Sequence, residues 1–199
     1  MPAMLREDLV SGRVQSGGRE PAEDDLRLVQ DFVNTLDREN GVELFDEPRG
    51  LSDWLAHRGL PGAGERLAAR DLARALALRE ALRAVLLANN GGEEAPEAYE
   101  ALGAAGRRAR LTAVFTPSGP ALEPGARGVD AALGRVVAVA FAAMLDGRWA
   151  RLKACPREVC GWVFYDRSTA NRGTWCSMRI CGQRVKANAY YRRRTRGRG

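Results

Sequence analysis

Residues 155–194 read CPREVCGWVFYDRSTANRGTWCSMRICGQRVKANAYYRRR, and the reading of this stretch decides the fold. It holds all four cysteines of the chain, Cys155, Cys160, Cys176 and Cys181, in the spacing C-x4-C-x15-C-x4-C. The N-terminus has no apolar segment of signal-peptide type, so two close pairs a hairpin apart argue for a metal rather than for disulfides. Zinc takes four ligands tetrahedrally, and two short loops deliver two thiolates each. The single histidine, His57, is remote in sequence, so the ligand set would be the four cysteines alone. That predicts one structural zinc ion in a closed shell, with no open position for a catalytic water. The alternative is four ordinary reduced cysteines, since cysteine is among the most buried residue types.

Between the two pairs, Trp162 and Phe164 alternate with Val163 and Tyr165, and RSTANRG follows before Trp175. This predicts a β-hairpin lying between the ligand pairs, with Trp162 and Phe164 inward. After Cys181, GQRVKANAYYRRR can run as a helix carrying the second pair at its start. A module this small has little core of its own. Metal binding on the order of 10 kcal/mol would then supply most of its folding free energy.

The charge is placed unevenly. From Arg151 to Gly199 thirteen Lys and Arg face only Glu158 and Asp166, although the whole chain carries a net charge of +6. Only Lys153 and Lys186 are lysines among 31 basic residues. A coding bias explains the choice of arginine, but it does not move positive charge to one end. An acidic body with a basic C-terminal quarter is the pattern of a nucleic-acid-binding appendage.

The preceding 150 residues have mainly helical period. In DDLRLVQDFVNTLD, the residues Leu28, Val29, Phe32, Val33 and Leu36 share a face. Leu51, Trp54 and Leu55 do so in LSDWLAHRGL, and Leu67, Leu72, Ala75, Leu76, Leu82, Val85 and Leu86 between Glu65 and Leu87. Asn-Asn-Gly-Gly at 89–92 is a helix stop. ARLTAVFTP predicts a strand with Leu111, Ala113 and Phe115 on one side. VDAALGRVVAVAFAAMLDG predicts a long helix buried through Leu133, Val136, Val137, Ala140, Phe141 and Met144. No run of eighteen apolar residues suggests a membrane span. The fold class is therefore mostly α with small β elements. A flexible leader (1–23) and a helical domain (24–150) precede a small treble-clef-like four-cysteine finger (151–195) and a basic tail (196–199).

Asp31, Asn34 and Thr35 form the best polar cluster of the body. They are read either as a ligand pocket or as a solvated helix face with capping contacts. His57 has no histidine or cysteine near it. Neither a Gly-rich phosphate loop nor a G-x-S-x-G elbow occurs, so nothing points to an enzyme.

The finger segment resembles the CGNR zinc finger family. The resemblance rests on the paired cysteines, the step Phe164-x-Asp166-x-Ser168, Arg172, then Trp175-Cys176-Ser177-Met178, and finally Cys181-Gly182-Gln183-Arg184 followed by Lys186. Gln183 stands where the family has asparagine. A glutamine caps less well but addresses adenine in the same bidentate manner. DFVNTLD, LSDWLAHRGL and ALALREALRAVL resemble the ABATE domain that precedes this finger in the family.

The resemblance implies a bacterial, stress-linked transcription regulator with the finger as DNA binder, resident in the cytoplasm at the nucleoid. The expected nucleic-acid contacts are Arg172, Arg179, Gln183, Arg184, Lys186, Asn188, Arg192, Arg193 and Arg194. The helical body would sense, dimerise or scaffold, a homodimer being one such arrangement. RNA is the alternative partner, with Trp162, Tyr190 and Tyr191 available to stack on bases. A redox-responsive zinc interaction module is a third reading.

Overall fold

The computed structural model describes residues 6–12, 15, 18–117 and 119–187. Asn188, Tyr190, Tyr191, Arg192, Arg193, Arg194 and the tail lie outside the described residues. In chain order the helices are α1 (Arg6–Ser11), α2 (Leu26–Val33), α3 (Pro48–His57), α4 (Ala69–Ala88), α5 (Pro96–Ala109) and α6 (Gly128–Leu145). Three antiparallel two-stranded sheets accompany them: β1 (Leu36–Asp37) with β2 (Val42–Glu43), β3 (Leu111–Thr116) with β4 (Gly119–Pro124), and β5 (Leu152–Ala154) with β6 (Val163–Tyr165). About half of the chain is helical, and the small sheets complete the α-dominated fold that its periodicity predicts.

Helix α2 is the centre of the molecule. Leu26, Val29, Phe32 and Val33 are fully enclosed, and Phe32 packs with Phe45 and Trp54 at ring-centroid distances of 5.6–5.9 Å. Helix α3, opened by Pro48 at its first turn, adds Leu51, Trp54 and Leu55 to the same core. Proline fits there because its missing N–H has no helical partner to lose. Helix α4 brings Ala75, Leu78, Leu82, Val85 and Leu86.

Helix α5 packs through Ala98, Leu102, Ala105 and Ala109. That stripe is so rich in alanine that hydrophobic period scarcely reveals it. Close approach of α5 and α6 depends on Gly134, where an added Cβ would stand 2.4 Å from that of Ala109.

Two expectations change. In α6 the buried face is Val129, Ala132, Leu133, Val136, Ala140 and Ala143, whereas Phe141 and Met144 are exposed. Alanines take the seam because α2 and α5 both lie close against it. This helix is long and apolar enough to cross a membrane by length and composition, but its packing against α2 and α5 makes it a core helix. The β3–β4 ribbon touches the body mainly along α6. Leu111 and Val114 are half-buried there, Ala113 is exposed and Phe115 is 87% exposed, so the predicted inward face does not form.

The C-terminal quarter does not stand apart. Leu152, Ala154, Trp162, Val163, Phe164 and Tyr165 belong to the same continuous core as α2, α4 and α6. The hairpin also differs from the expected one. Its strands are β5 and β6, with Leu152 opposite Tyr165 and Ala154 opposite Val163, so the first cysteine pair occupies its turn. Tyr165 and Val163 are as buried as Phe164, because both faces of β6 are covered and the alternation has no solvent side. Nor is the described part of the leader separate: Leu9, Gln15 and Ala22 are buried, and α1 contacts α3.

Candidate metal centre and basic face

The two knuckles are built differently. The first is the β5–β6 turn, where the Cys155 N–H donates to the Trp162 carbonyl (2.9 Å) and the Cys160 N–H to that of Arg157 (2.8 Å). Gly161 closes it at φ 58°, in the left-handed region that favours glycine, with the side chains of Arg38 and Arg83 3.3–3.5 Å from where a Cβ would stand. The second knuckle opens a helix. Ser177 caps it by accepting from the Ile180 N–H, a π-turn spans Met178–Gly182, and α-helix continues over 183–187.

These elements bring the four sulfur atoms within 4.8 Å of one another, all on buried residues. Cys160 to Cys176 and Cys176 to Cys181 are each 3.6 Å, and none of the four is in a disulfide. Thiolates about 2.3 Å from a tetrahedral zinc stand about 3.8 Å apart, which these separations match. A disulfide would need about 2.05 Å. The donor set therefore fits one zinc ion held by Cys155, Cys160, Cys176 and Cys181.

Around this centre the chain spends buried polar groups on holding the finger against the body. The Asn34 side chain pairs with the backbone of Val163 in both directions, receiving its N–H and donating to its carbonyl, each at 2.8 Å. Asn34 thus acts as a one-residue extension of the sheet. Gln30 donates to the same carbonyl and to Gln15, and Gln15 also accepts from the Trp162 indole. Arg83, almost completely buried, donates to the Gly161 carbonyl (2.7 Å) and the Val33 carbonyl (2.9 Å), with Glu80 as its counter-charge. Burial pulls the basicity of Arg83 down and Glu80 pulls it back.

Asn89 and Asn90, read as a helix stop, reach the carbonyls of Trp149, Leu152, Ala154 and Thr174. From the leader, Arg19 donates to the carbonyls of Trp175 and Cys176 and lies 4.7 Å over the Phe164 ring.

The loop between the knuckles is organised by a buried ion pair. The Lys153 ammonium donates to Asp166 (3.0 Å) and to the carbonyls of Asn171 and Gly173, using its three donors. Asp166 also accepts the N–H groups of Ser168 and Gly173. Burial works to raise this carboxyl, but hydrogen bonds from Ser168, Lys153 and Gly173 hold it well below the ordinary carboxylate range. The loop so fixed presents Arg172 to solvent.

Of the expected nucleic-acid residues, Arg172, Arg179, Gln183, Arg184 and Lys186 are exposed. Among the described residues no carboxylate pairs with Arg172, Arg179 or Lys186, whereas Arg184 pairs with Glu39. Trp162 is buried, so it offers no stacking surface.

Asp31, Asn34 and Thr35 are all buried side chains rather than a solvated face. Asn34 holds β6, and Thr35 donates to the Phe32 carbonyl and accepts from Arg79. Asp31 pairs with Arg58 (2.5 Å) and Arg27 (3.3 Å), while burial pushes its carboxyl up against their pull. Lys153, Arg83, Asn89 and Asn90 were not singled out as site residues. The signals for two of them were present: a rare lysine, and an arginine inside the apolar stripe of α4.

A four-thiolate finger whose strands are packed into a helical body defines the class of protein. Residues 26–148 match the ABATE family, described as "Putative stress-induced transcription regulator", and residues 151–194 match the CGNR zinc finger. The chain belongs to the ABATE family and carries a CGNR zinc finger directly after that domain. No curated protein matches it.

Proposed function

We propose that the protein is a zinc-dependent, DNA-binding transcription regulator, with the finger as the DNA contact and the helical body as its scaffold. The observation that carries this reading is the set of exposed cations on the segment that the metal centre orders. Arg172 comes from the loop between the knuckles, and Arg179, Arg184 and Lys186 from the helix that carries Cys181. Phosphate contacts position a protein on a duplex, and base contacts specify the site. Gln183 has the side-chain type that reads adenine in the major groove, and Arg184 the type that reads guanine once it exchanges Glu39 for a base. Asn188 and Arg192–Arg194 extend the same segment in sequence, and the basic end adds sequence-independent attraction. The reading assigns the protein no reaction. Its place is the cytoplasm, on the chromosome.

A salt titration of the zinc-loaded protein against duplex DNA from its own promoter, unrelated duplex and single-stranded RNA tests this. The expected result is a promoter preference on the order of a thousandfold that disappears when zinc is chelated. Equal affinities with one steep salt slope for all three would reduce the protein to a general polyanion binder. Preference for the single strand would favour RNA.

A further inference from the structure

One carboxylate of the body reaches over the metal centre. Glu39 lies in the β1–β2 turn, and Asp37 fixes that turn by accepting the N–H groups of Glu39 and Asn40 (3.1 Å each) and the Asn40 amide (2.6 Å). The Glu39 side chain is only 25% exposed. It pairs with two arginines from the two halves of the finger. Arg157, inside the first knuckle, donates to both of its oxygens at 3.2 Å, and Arg184, three residues after Cys181, donates to one of them. Arg157 also donates to the Cys181 sulfur at 3.4 Å. The Arg157 side chain is 18% exposed, so the solvent screening that weakens surface pairs is reduced there.

A zinc ion with four thiolates carries a net charge of −2, and a hydrogen-bonded cation beside one sulfur draws electron density from it. The sulfur becomes a poorer nucleophile, slower to react with the electrophile that would detach it from the metal, and the cation offsets the mutual repulsion of the thiolates. Groups that orient or hydrogen-bond a metal's ligands typically change affinity or activity about 10–100-fold when removed.

We infer that Glu39 and Arg157 form a clamp from the body onto the metal centre, in which Glu39 orients Arg157 against the Cys181 thiolate and ties the first knuckle to the second. Both act as positioning residues. They place control of zinc retention and thiol reactivity in the β1–β2 turn, outside the finger itself. The proposal rests on the metal centre and is independent of whether the finger binds DNA or RNA.

The test uses the full zinc-loaded chain and two readouts. One is the rate of zinc transfer to an excess of a chromogenic chelator. The other is the order in which the four cysteines are alkylated, read by mass spectrometry. Glu39→Gln and Arg157→Gln are each expected to speed zinc release about ten-fold, with Cys181 becoming the first thiol modified. Because the two residues work in series, the double variant should be no faster than either single one. Arg167→Ala removes a different ion pair between the finger and the leader, and should leave rate and order unchanged.

Wild-type rates in both single variants would overturn the clamp, as would effects that multiply in the double variant. General acceleration without a preference for Cys181, shared by Arg167→Ala, would reduce the residues to ordinary surface packing and also overturn it. A chain purified without zinc would overturn the metal centre and the clamp with it.

Discussion

Two of the three hairpins among the described residues, β3–β4 and β5–β6, have opposite fates. β3–β4 is the longer, with six residues in each strand, yet its Phe115 stands in solvent. β5–β6 has three residues in each strand, and all six are buried. Length and strand pairing do not account for the difference. The longer ribbon touches the body mainly along α6, whereas the shorter one packs against α2, α4 and the turn at Arg148–Arg151, with the outward N–H and C=O of Val163 answered by Asn34 and Gln30. An edge strand exposes a row of unpaired N–H and C=O groups. In β6 the outward groups of Val163 are capped by side chains of the body, which helps so short a hairpin to be interior.

The comparison breaks most completely at the metal. Cys176→Ser leaves three thiolates, and zinc content should fall below one per chain. Because β5–β6 shares its core with α2, the body should soften as well, giving a large drop in the midpoint of thermal unfolding followed by circular dichroism. A body that melted unchanged would show that the hairpin is seated without the metal.

Next comes the buried ion pair. Lys153→Met strands the Asp166 carboxylate and should cost about 3–5 kcal/mol in denaturant unfolding at neutral pH. The pH dependence has a definite sign. The folded Asp166 carboxyl lies below its unfolded value of about 3.9, so its contribution is complete at neutral pH. It is lost only as pH falls below that value towards the folded one. In acid, the gap between variant and parent should narrow.

Smaller again is Asn34→Ala. It leaves the Val163 N–H without its partner while Gln30 still serves the carbonyl, a loss of about 1–3 kcal/mol. The smallest effect belongs to the other hairpin. Phe115→Ser should shift stability by about 0.5 kcal/mol or less, since nothing covers the ring. A comparable cost at Phe115 and Asn34 would mean that the β3–β4 face is covered in solution.

What was legible in the sequence follows the same division. The four cysteines and the motif around them were readable because a metal imposes ligand type and spacing on the chain itself. Helices α2, α3, α4 and α6 were readable from their apolar period. Strand faces were misassigned in both hairpins, since alternation reports a face only when one side meets solvent. β6 has no wet side, and β3 has scarcely a dry one. The exposed Phe141 and Met144 misled for a related reason: α6 buries its alanines and shows its larger side chains.

Least legible were the buried polar groups. Arg83 looks like surface charge in an arginine-rich helix, and Asn34 like a solvated helix end. Their partners are backbone carbonyls and N–H groups far away in sequence, at Gly161 and Val163, which no local pattern announces.

The placement of Arg83 also bears on how such proteins diversify. The two family matches meet with only residues 149 and 150 between them, which looks like a junction where a finger could be exchanged for another. Yet the guanidinium grips Gly161 of the finger and Val33 of the body at once, and Gly161 presents its carbonyl from a left-handed φ of 58°. A transplanted finger would have to bring a glycine at that knuckle and meet an arginine and an asparagine already waiting on its new host. The two halves are therefore matched parts of one interface, and a chimera carrying another finger should fold well only where those three residues are supplied together.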